Sequence, residues 1–361
     1  MALEMDSIIE SLKEAGSTIV PFKWEDECFF LLDQRMIPWK ENWLPCKSWL
    51  DCARGIADMV VRGAPAIGIT AAFGMALASK ECQKEEGNIF SCLKRIGEQM
   101  INARPTAVNL KWAINRIVKR LEGATINELY EKALYEAFLI WQEDILANIK
   151  MGKLGGELLP DEGGVLTHCN AGALATGGYG TALGVIRGAF KKGKKITVFA
   201  DETRPWLQGA RLTTWELMED NIPVFLNVDN ASGILMRTGK VKAVVVGADR
   251  IASNGDVANK IGTYNCACAA RENGIDFFVA APSSTFDKEC KNGDEIPIEF
   301  RSEEEILNFG DMQIAPAGVK AYNPVFDITP NHLITAIITE KGVLRPPYEE
   351  SISRLIFEEN N

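Results

Sequence analysis

The residues able to do chemistry gather at the ends of short apolar runs in the second half of the chain. The runs GVLTHCN, KKITVFADE, IPVFLNVDN and KAVVVGADR close on His168-Cys169, Asp201-Glu202, Asp229-Asn230 and Asp249-Arg250, and a fifth run, DFFVAAPSS, follows. Runs of this kind, each about 20 to 35 residues from the next and separated by helical stretches, predict a doubly wound parallel sheet. In such a sheet ligands bind outside the carboxyl ends of the strands, so these polar residues are expected around one crevice. Cys169, at a strand end facing a helix N-terminus, stands where a thiolate is favoured, as a base or nucleophile requires. The plain alternative is one more inert buried cysteine. Asp249 follows the apolar KAVVVGA and is either an ionised carboxylate taking backbone hydrogen bonds or an acid kept protonated by apolar surroundings, which would donate a proton at neutral pH.

The first run leads into AGALATGGYGTALGVIR, where Gly172, Gly177, Gly178, Gly180 and Gly184 let the backbone approach a ligand, and a helix start there would suit a phosphate. A Gly/Ala helix packed tightly on the sheet explains the same residues. No Gly-Lys-Ser/Thr follows, so this is not a P-loop, and Gly178-x-Gly180 followed by Gly184 is an imperfect dinucleotide fingerprint. A metal site is not expected. The histidines are two, His168 and His332, there is no Cys-x-x-Cys, and Cys266-x-Cys268 falls in the helical segment KIGTYNCACAAREN, where positions two apart do not face each other. The run Lys191-Lys192-Gly193-Lys194-Lys195 reads as a solvated turn.

The elements that position these residues follow from periodicity. Ser17 to Asp33 predicts a small hairpin with an acidic turn, followed by a Trp-rich extended piece up to Leu44. From Ser48 to Leu121 apolar residues recur at helical spacing. Thr125 to Lys150 predicts one long amphipathic helix opening on a Thr-x-x-Glu capping box, with the Gly-rich residues 152–164 as its exit. The expected organisation is an N-terminal hairpin and helical domain over 1–150 and a Rossmann-like catalytic domain over 151–361, an α/β fold.

The chain has 361 residues, 47% apolar and 24% charged, which is globular composition with length for about two domains. With 39 Lys+Arg against 49 Asp+Glu the formal charge is −10, so neither nucleic acid nor an anionic membrane surface is an expected partner. The start MALEMDSIIESLKEAG lacks the basic-then-apolar order of a signal peptide, and the weakly polar stretch Ala64 to Ala78 is shorter than the roughly 18 residues of a membrane span. A cytoplasmic protein with its nine cysteines reduced is the expectation.

Six motifs in order carry a resemblance. They are Arg62-Gly63-Ala64-Pro65-Ala66-Ile67-Gly68; Ala103-Arg104-Pro105-Thr106 with Asn109-Leu110; Thr167-His168-Cys169-Asn170; Glu202-Thr203-Arg204-Pro205 with Gln208-Gly209; Gly247-Ala248-Asp249-Arg250-Ile251; and Gly255-Asp256-Val257-Ala258-Asn259-Lys260-Ile261-Gly262-Thr263. Together, from about residue 30 to Pro347, they resemble the methylthioribose-1-phosphate isomerases. The parent superfamily also holds ribose-1,5-bisphosphate isomerases and the regulatory subunits of initiation factor 2B.

The resemblance implies an aldose-to-ketose isomerase of methionine salvage, an amino-acid biosynthetic route, converting 5-methylthioribose 1-phosphate to 5-methylthioribulose 1-phosphate without metal or organic cofactor, in a homodimer. It implies Asp249 and Cys169 as the catalytic pair, Asp249 assisting ring opening as acid and Cys169 carrying the C2-to-C1 hydrogen as base, with a hydride shift as the other possibility, and Arg62, the Gly63-Ala64 backbone, Arg104, Gln208, Asn259 and Lys260 as substrate ligands, in a site between the domains. Two arginines and a lysine suit a phosphate dianion, with Lys260 expected at the start of a helix. Arg62 and Arg104 could instead pair with carboxylates. A ribose-1,5-bisphosphate or 5-deoxyribose-1-phosphate isomerase, a sugar-phosphate-sensing regulatory subunit and a dinucleotide-dependent dehydrogenase are the alternatives.

Overall fold

The computed structural model describes residues 2–83, 89–104 and 108–358, so Pro105 and Thr106 of the second motif lie outside the described residues. The chain forms two compact units, Met1–Ile149 with Gly172–Gly180 and Lys150–Ala171 with Thr181–Asn361. The first unit opens with α1 (Ala2–Ala15), a segment without any motif, which sends Ile8 and Leu12 into the core. β1 (Phe22–Glu25) and β2 (Cys28–Leu32) form the expected hairpin, with Asp26 and Glu27 both at positive φ, as a two-residue turn demands. β3 (Trp43–Cys46) adds to β2 antiparallel, pairing Leu44 with Leu31.

The helices follow: α2 (Trp49–Ala57), closed by a Ser48/Asp51 capping box, α3 (Ala64–Cys82), α4 (Ile89–Ile101) and α5 (Val108–Arg120). α3 is buried along nearly its whole length, and its Phe73 stacks on Phe29 at 4.2 Å and meets Phe138 and Trp141 edge-on. Each such aromatic pair adds about 1 kcal/mol beyond burial. Contrary to the expected reduced thiols, Cys82 and Cys92 are joined in a disulfide. The end of α3 and the start of α4 bring their Cα atoms to 6.0 Å, inside the reach of a bridge.

α6 (Leu129–Leu158) is preceded by the expected Thr125/Glu128 capping box, but it does not stop at the glycines. A Cβ on Gly156 would lie 2.7 Å from the Ala189 amide nitrogen, and one on Gly188 would lie 2.0 Å from the Gly152 carbonyl. The glycines are thus the crossing of α6 with α7 (Ala182–Lys191), not an exit from a helix.

In the second unit the alternation continues with β4 (Glu162–Thr167), then α7, β5 (Lys195–Asp201), α8 (Thr214–Glu219), β6 (Val224–Asn227), α9 (Ser232–Arg237) and β7 (Val241–Val246). After a hairpin of β8 (Arg250–Ala252) and β9 (Val257–Lys260) come α10 (Thr263–Glu272), β10 (Asp276–Ala280) and β11 (Phe286–Asp287). The chain ends through α11 (Glu304–Leu307), β12 (Asn308–Phe309), β13 (Met312–Gln313), β14 (Phe326–Thr329), β15 (Ala336–Ile338), β16 (Val343–Leu344) and α12 (Tyr348–Ile352).

The main sheet has the order β16-β15-β10-β7-β4-β5-β6, parallel throughout except for β16. All five apolar runs lie in it. Leaving out β16, the order is that of a Rossmann sheet, growing from β4 outward to β6 and then restarting at β7 on the other side of β4. The topological switch point therefore falls between the carboxyl ends of β4 and β7. Cys169 follows β4 and Asp249 follows β7, so the two candidate chemical residues leave neighbouring strands at the place where such sheets bind ligands. A smaller sheet, β11-β8-β9-β14, was not foreseen; its hairpin turns at Asn254-Gly255, with Gly255 at φ 90°.

Candidate active site

Cys169 is buried and holds a left-handed backbone, φ 67°, a conformation that costs a non-glycine residue about 1 kcal/mol or more. Its neighbours enforce it. The Cys169 amide donates to Thr203 Oγ1 at 2.8 Å, and its carbonyl accepts from Thr213 Oγ1 at 2.6 Å. Thr203, also left-handed at φ 61°, donates its hydroxyl to the Asp201 carbonyl at 3.0 Å. The Asp229 carboxylate takes the amides of Thr203 and Arg204 at 2.7 and 2.8 Å. The ends of β4, β5 and β6 are thus laced together beneath the thiol. Asp229 was legible as a strand-end carboxylate; Thr203 and Thr213 were not, because nothing in their spacing marks a hydroxyl aimed at a backbone 34 or 44 residues away.

Gln208 Nε2 lies 3.3 Å from Cys169 Sγ, so the structure brings these two predicted site residues together. Gln208 is buried, and among the described residues its Oε1 has no hydrogen-bond partner. The chain can bring it there because Gly209 follows: a Cβ at that position would sit 1.8 Å from the Asp201 carbonyl. Behind Cys169, Asn170 donates to Glu216 at 2.9 Å, and Glu216 and Asp220 share the fully buried Arg187 at 3.0 and 2.6 Å. A buried cation with two carboxylates is a satisfied network, and it stiffens the β4 exit.

Asp249 is half-buried, and its amide donates to the Ala258 carbonyl at 2.9 Å, which ties it to β9. Asn259 and Lys260 end that strand, so Asp249, Asn259 and Lys260 form one cluster by chain pairing. Lys260 is therefore not at a helix start: α10 begins at Thr263, three residues on, and the ammonium donates to the Val325 carbonyl at 2.9 Å over the Phe326 ring. Asn259 donates to Thr263 Oγ1 at 3.0 Å. The Asn254-Gly255 turn between Ile251 and Val257 is the hairpin signal that could have revealed this strand.

In the first unit Gly63 caps α3 at φ 92°, with Arg62 before it and Ala64 at the first helical position; all three are half-buried. A Cβ on Gly63 would meet the Ala175 carbonyl at 2.4 Å, so only glycine fits against segment 172–180. That segment is held by side chains of its own unit. Gln34 donates to the Leu174 carbonyl at 2.6 Å, Trp141 to the Gly177 carbonyl at 2.7 Å and Asn148 to the Gly178 carbonyl at 3.2 Å, while Asp144 accepts the Gly177 amide at 2.6 Å. The glycines therefore serve close packing. Arg104 sits in the turn after α4, its amide bonded to the Ile101 carbonyl at 3.1 Å.

Among the described residues, His168, Asp201 and Cys266 offer ligand atoms within 4.8 Å of one another, the only such group of three. They already bond to each other: His168 Nδ1 to Asp201 Oδ2 at 2.9 Å, and Cys266 Sγ to the same oxygen at 3.4 Å. An ion there would have to displace both protons. Burial works against a charged His168, but the Asp201 carboxylate outweighs it and holds the pKa up at about 9, above the ordinary 6.5. Because the folded value is raised, the stability this pair contributes is fully present below pH about 6.5 and lost as pH rises through about 9. Melting temperature is accordingly expected to fall between pH 7 and pH 9.5, and a His168→Gln protein should show a flatter profile. Equal slopes in the two proteins would remove the charged pair.

The model of the initiation factor 2 subunit family matches residues 60–346. Methylthioribose-1-phosphate isomerase of Thermosipho africanus is 56% identical over 339 residues, 93% of this chain and 98% of its own length. Methylthioribose-1-phosphate isomerase 1 of Pseudothermotoga lettingae is 54% identical over 335 residues, covering 92% and 97%. Among solved structures, 5-methylthioribose 1-phosphate isomerase from Pyrococcus horikoshii superposes with a TM-score of 0.89 at 43% identity, covering 96% of this chain and 98% of that one. The translation initiation factor eIF-2B subunit delta from A. fulgidus does so at 0.84 and 45%, covering 94% and 99%. The chain is an α/β protein of the initiation factor 2 subunit family, and the fold is that of its solved relatives. Within it, the chain belongs with the methylthioribose-1-phosphate isomerases.

Proposed function

We propose that the protein isomerises 5-methylthioribose 1-phosphate to 5-methylthioribulose 1-phosphate, the aldose-to-ketose step of methionine salvage, with Asp249 as acid and Cys169 as hydrogen carrier. The observation that carries the reading is the placement of these two residues at the ends of adjacent strands β4 and β7, in a chain more than half identical to named isomerases over nine-tenths of its length. The substrate's anomeric carbon is locked by phosphate, so the ring cannot open through a free hemiacetal. Asp249 protonates the ring oxygen, the bond from C1 to that oxygen breaks, and the C4 hydroxyl is released. The proton on C2 passes to Cys169, and its electron pair forms the C1–C2 double bond. Cys169 then returns the proton to C1 while the C2 hydroxyl gives its own to Asp249, which restores both groups.

Arg62, the Gly63-Ala64 backbone, Arg104, Asn259 and Lys260 act in this reading as ligands of the sugar phosphate, charge-assisted bonds being suited to the dianion. Gln208 Oε1 suits a sugar hydroxyl. Three exposed apolar residues at or just after the sheet-edge strand β6, Phe225, Leu226 and Val228, support a homodimer. No described helix is long and apolar enough to cross a membrane, and we place the enzyme in the cytoplasm.

The test is turnover by the purified protein in deuterated water, followed by NMR with and without excess chelator. Rapid ketose formation with solvent deuterium at C1, unchanged by chelator, is the expected result. Turnover with full retention of the C2 hydrogen would replace the thiol's proton transfer by a hydride shift. Turnover only of ribose 1,5-bisphosphate or 5-deoxyribose 1-phosphate would replace the substrate, and silence on all three would favour a regulatory subunit.

A further inference from the structure

We propose that His168 is a positioning residue that fixes the substrate-binding end of β9 against the Cys169 strand end through the Ile261 carbonyl. The proposal rests on the reading of Asn259 and Lys260 as substrate ligands. His168 is 1% exposed and immediately precedes Cys169. Its Nε2 lies 2.8 Å from the carbonyl oxygen of Ile261, the residue after Lys260 and 93 positions from the imidazole. Its Nδ1 lies 2.9 Å from the Asp201 carboxylate, which is itself fixed by the Asn227 amide at 2.6 Å. Both ring nitrogens thus face acceptors. A neutral imidazole has one N–H, so two acceptors call for the doubly protonated ring.

The segment after Lys260 is shaped to receive that ring. Gly262 adopts φ 104°, and a Cβ there would lie 2.8 Å from His168 Cε1, so only glycine passes over the imidazole face. On its other side the same segment is pinned by Asp327, which accepts the Gly262 amide at 2.7 Å and the Tyr264 amide at 3.1 Å. The Ile261 amide donates to the Val325 carbonyl at 3.0 Å. Asn259 and Lys260 therefore end a strand whose exit is clamped between a cationic ring and a carboxylate. With both nitrogens engaged by the protein, the ring has no proton to exchange with a substrate. Its effect passes through the residues it holds.

Two substitutions separate the two bonds of the ring. The amide nitrogen of Gln reaches the place of Nε2, and that of Asn the place of Nδ1. In steady-state kinetics, His168→Asn is expected to raise KM about tenfold with kcat within about threefold, while His168→Gln stays within about threefold of wild type on both. Equal KM values for the two variants, or parallel losses of kcat and stability without a KM effect, would overturn the proposal. Gly262→Ala keeps the histidine and displaces the ring, and it is expected to reproduce the KM increase; wild-type KM in that variant counts equally against the proposal and covers the case in which His168→Asn does not fold. Asn259→Ala and Lys260→Ala are measured alongside. If they leave KM unchanged, the ligand reading fails, whereas if they raise it and His168→Asn does not, the positioning role fails.

Discussion

Cys169→Ser is expected to bind 5-methylthioribose 1-phosphate with nearly wild-type affinity and to turn it over about a thousandfold more slowly. Serine is nearly isosteric and offers Gln208 an Oγ in place of the sulfur, and the bonds of Thr203 and Thr213 go to the residue 169 backbone, so that lacing survives. The change lies in the proton affinity. A hydroxyl holds its proton far more tightly than a thiol, so in the proposed mechanism the group no longer takes the hydrogen from C2 and returns it at C1. Binding measured by calorimetry, melting temperature and single-turnover NMR together separate this from a folding defect. A rate within about tenfold of wild type would take the thiol out of the reaction.

The second large effect is expected for Asp249→Asn. The amide is isosteric, and the backbone bond from residue 249 to the Ala258 carbonyl does not involve the side chain, so the β8–β9 hairpin, with Asn259 and Lys260 at its end, stays in place. What is lost, in the proposed mechanism, is the acidic proton for the ring oxygen. In that mechanism ring opening precedes hydrogen transfer, so this variant should bind substrate, lose about a thousandfold in kcat, and show no exchange of the C2 hydrogen with deuterated solvent. Exchange at C2 in the absence of product would mean that ring opening proceeds without Asp249, and that its role lies elsewhere.

The apolar runs made the parallel strands legible because each run is buried on both faces, and the residue at each run's end then fell at a strand end. Cys169 and Asp249 could be located on that ground alone. The fate of Gly152, Gly155 and Gly156 was not legible, since a glycine that ends a helix and one that lets two helices cross look the same until the partner, here Gly188 and its neighbours, is known. Lys260 was misplaced for a related reason. Its strand is four residues long and pairs with segments that begin at Arg250 and Phe326, so no local period announces it. The clamps on His168 and on segment 172–180 join residues 30 to 140 positions apart and exist only in the folded chain.

The assignment of 172–180 to the first unit has a consequence for how this protein can be cut and recombined. The chain crosses between the units at 149/150, again after Ala171 and once more after Gly180. A fragment ending at residue 149 would lack the carbonyls that receive Gln34, Trp141 and Asn148 and the amide that Asp144 binds, as well as the segment that Gly63 is shaped to fit. The remaining fragment would carry that segment with nothing to fold against. A cut at residue 149 alone therefore separates segment 172–180 from the side chains that hold it, and a recombinant made there would carry mismatched partners on both sides of the cut.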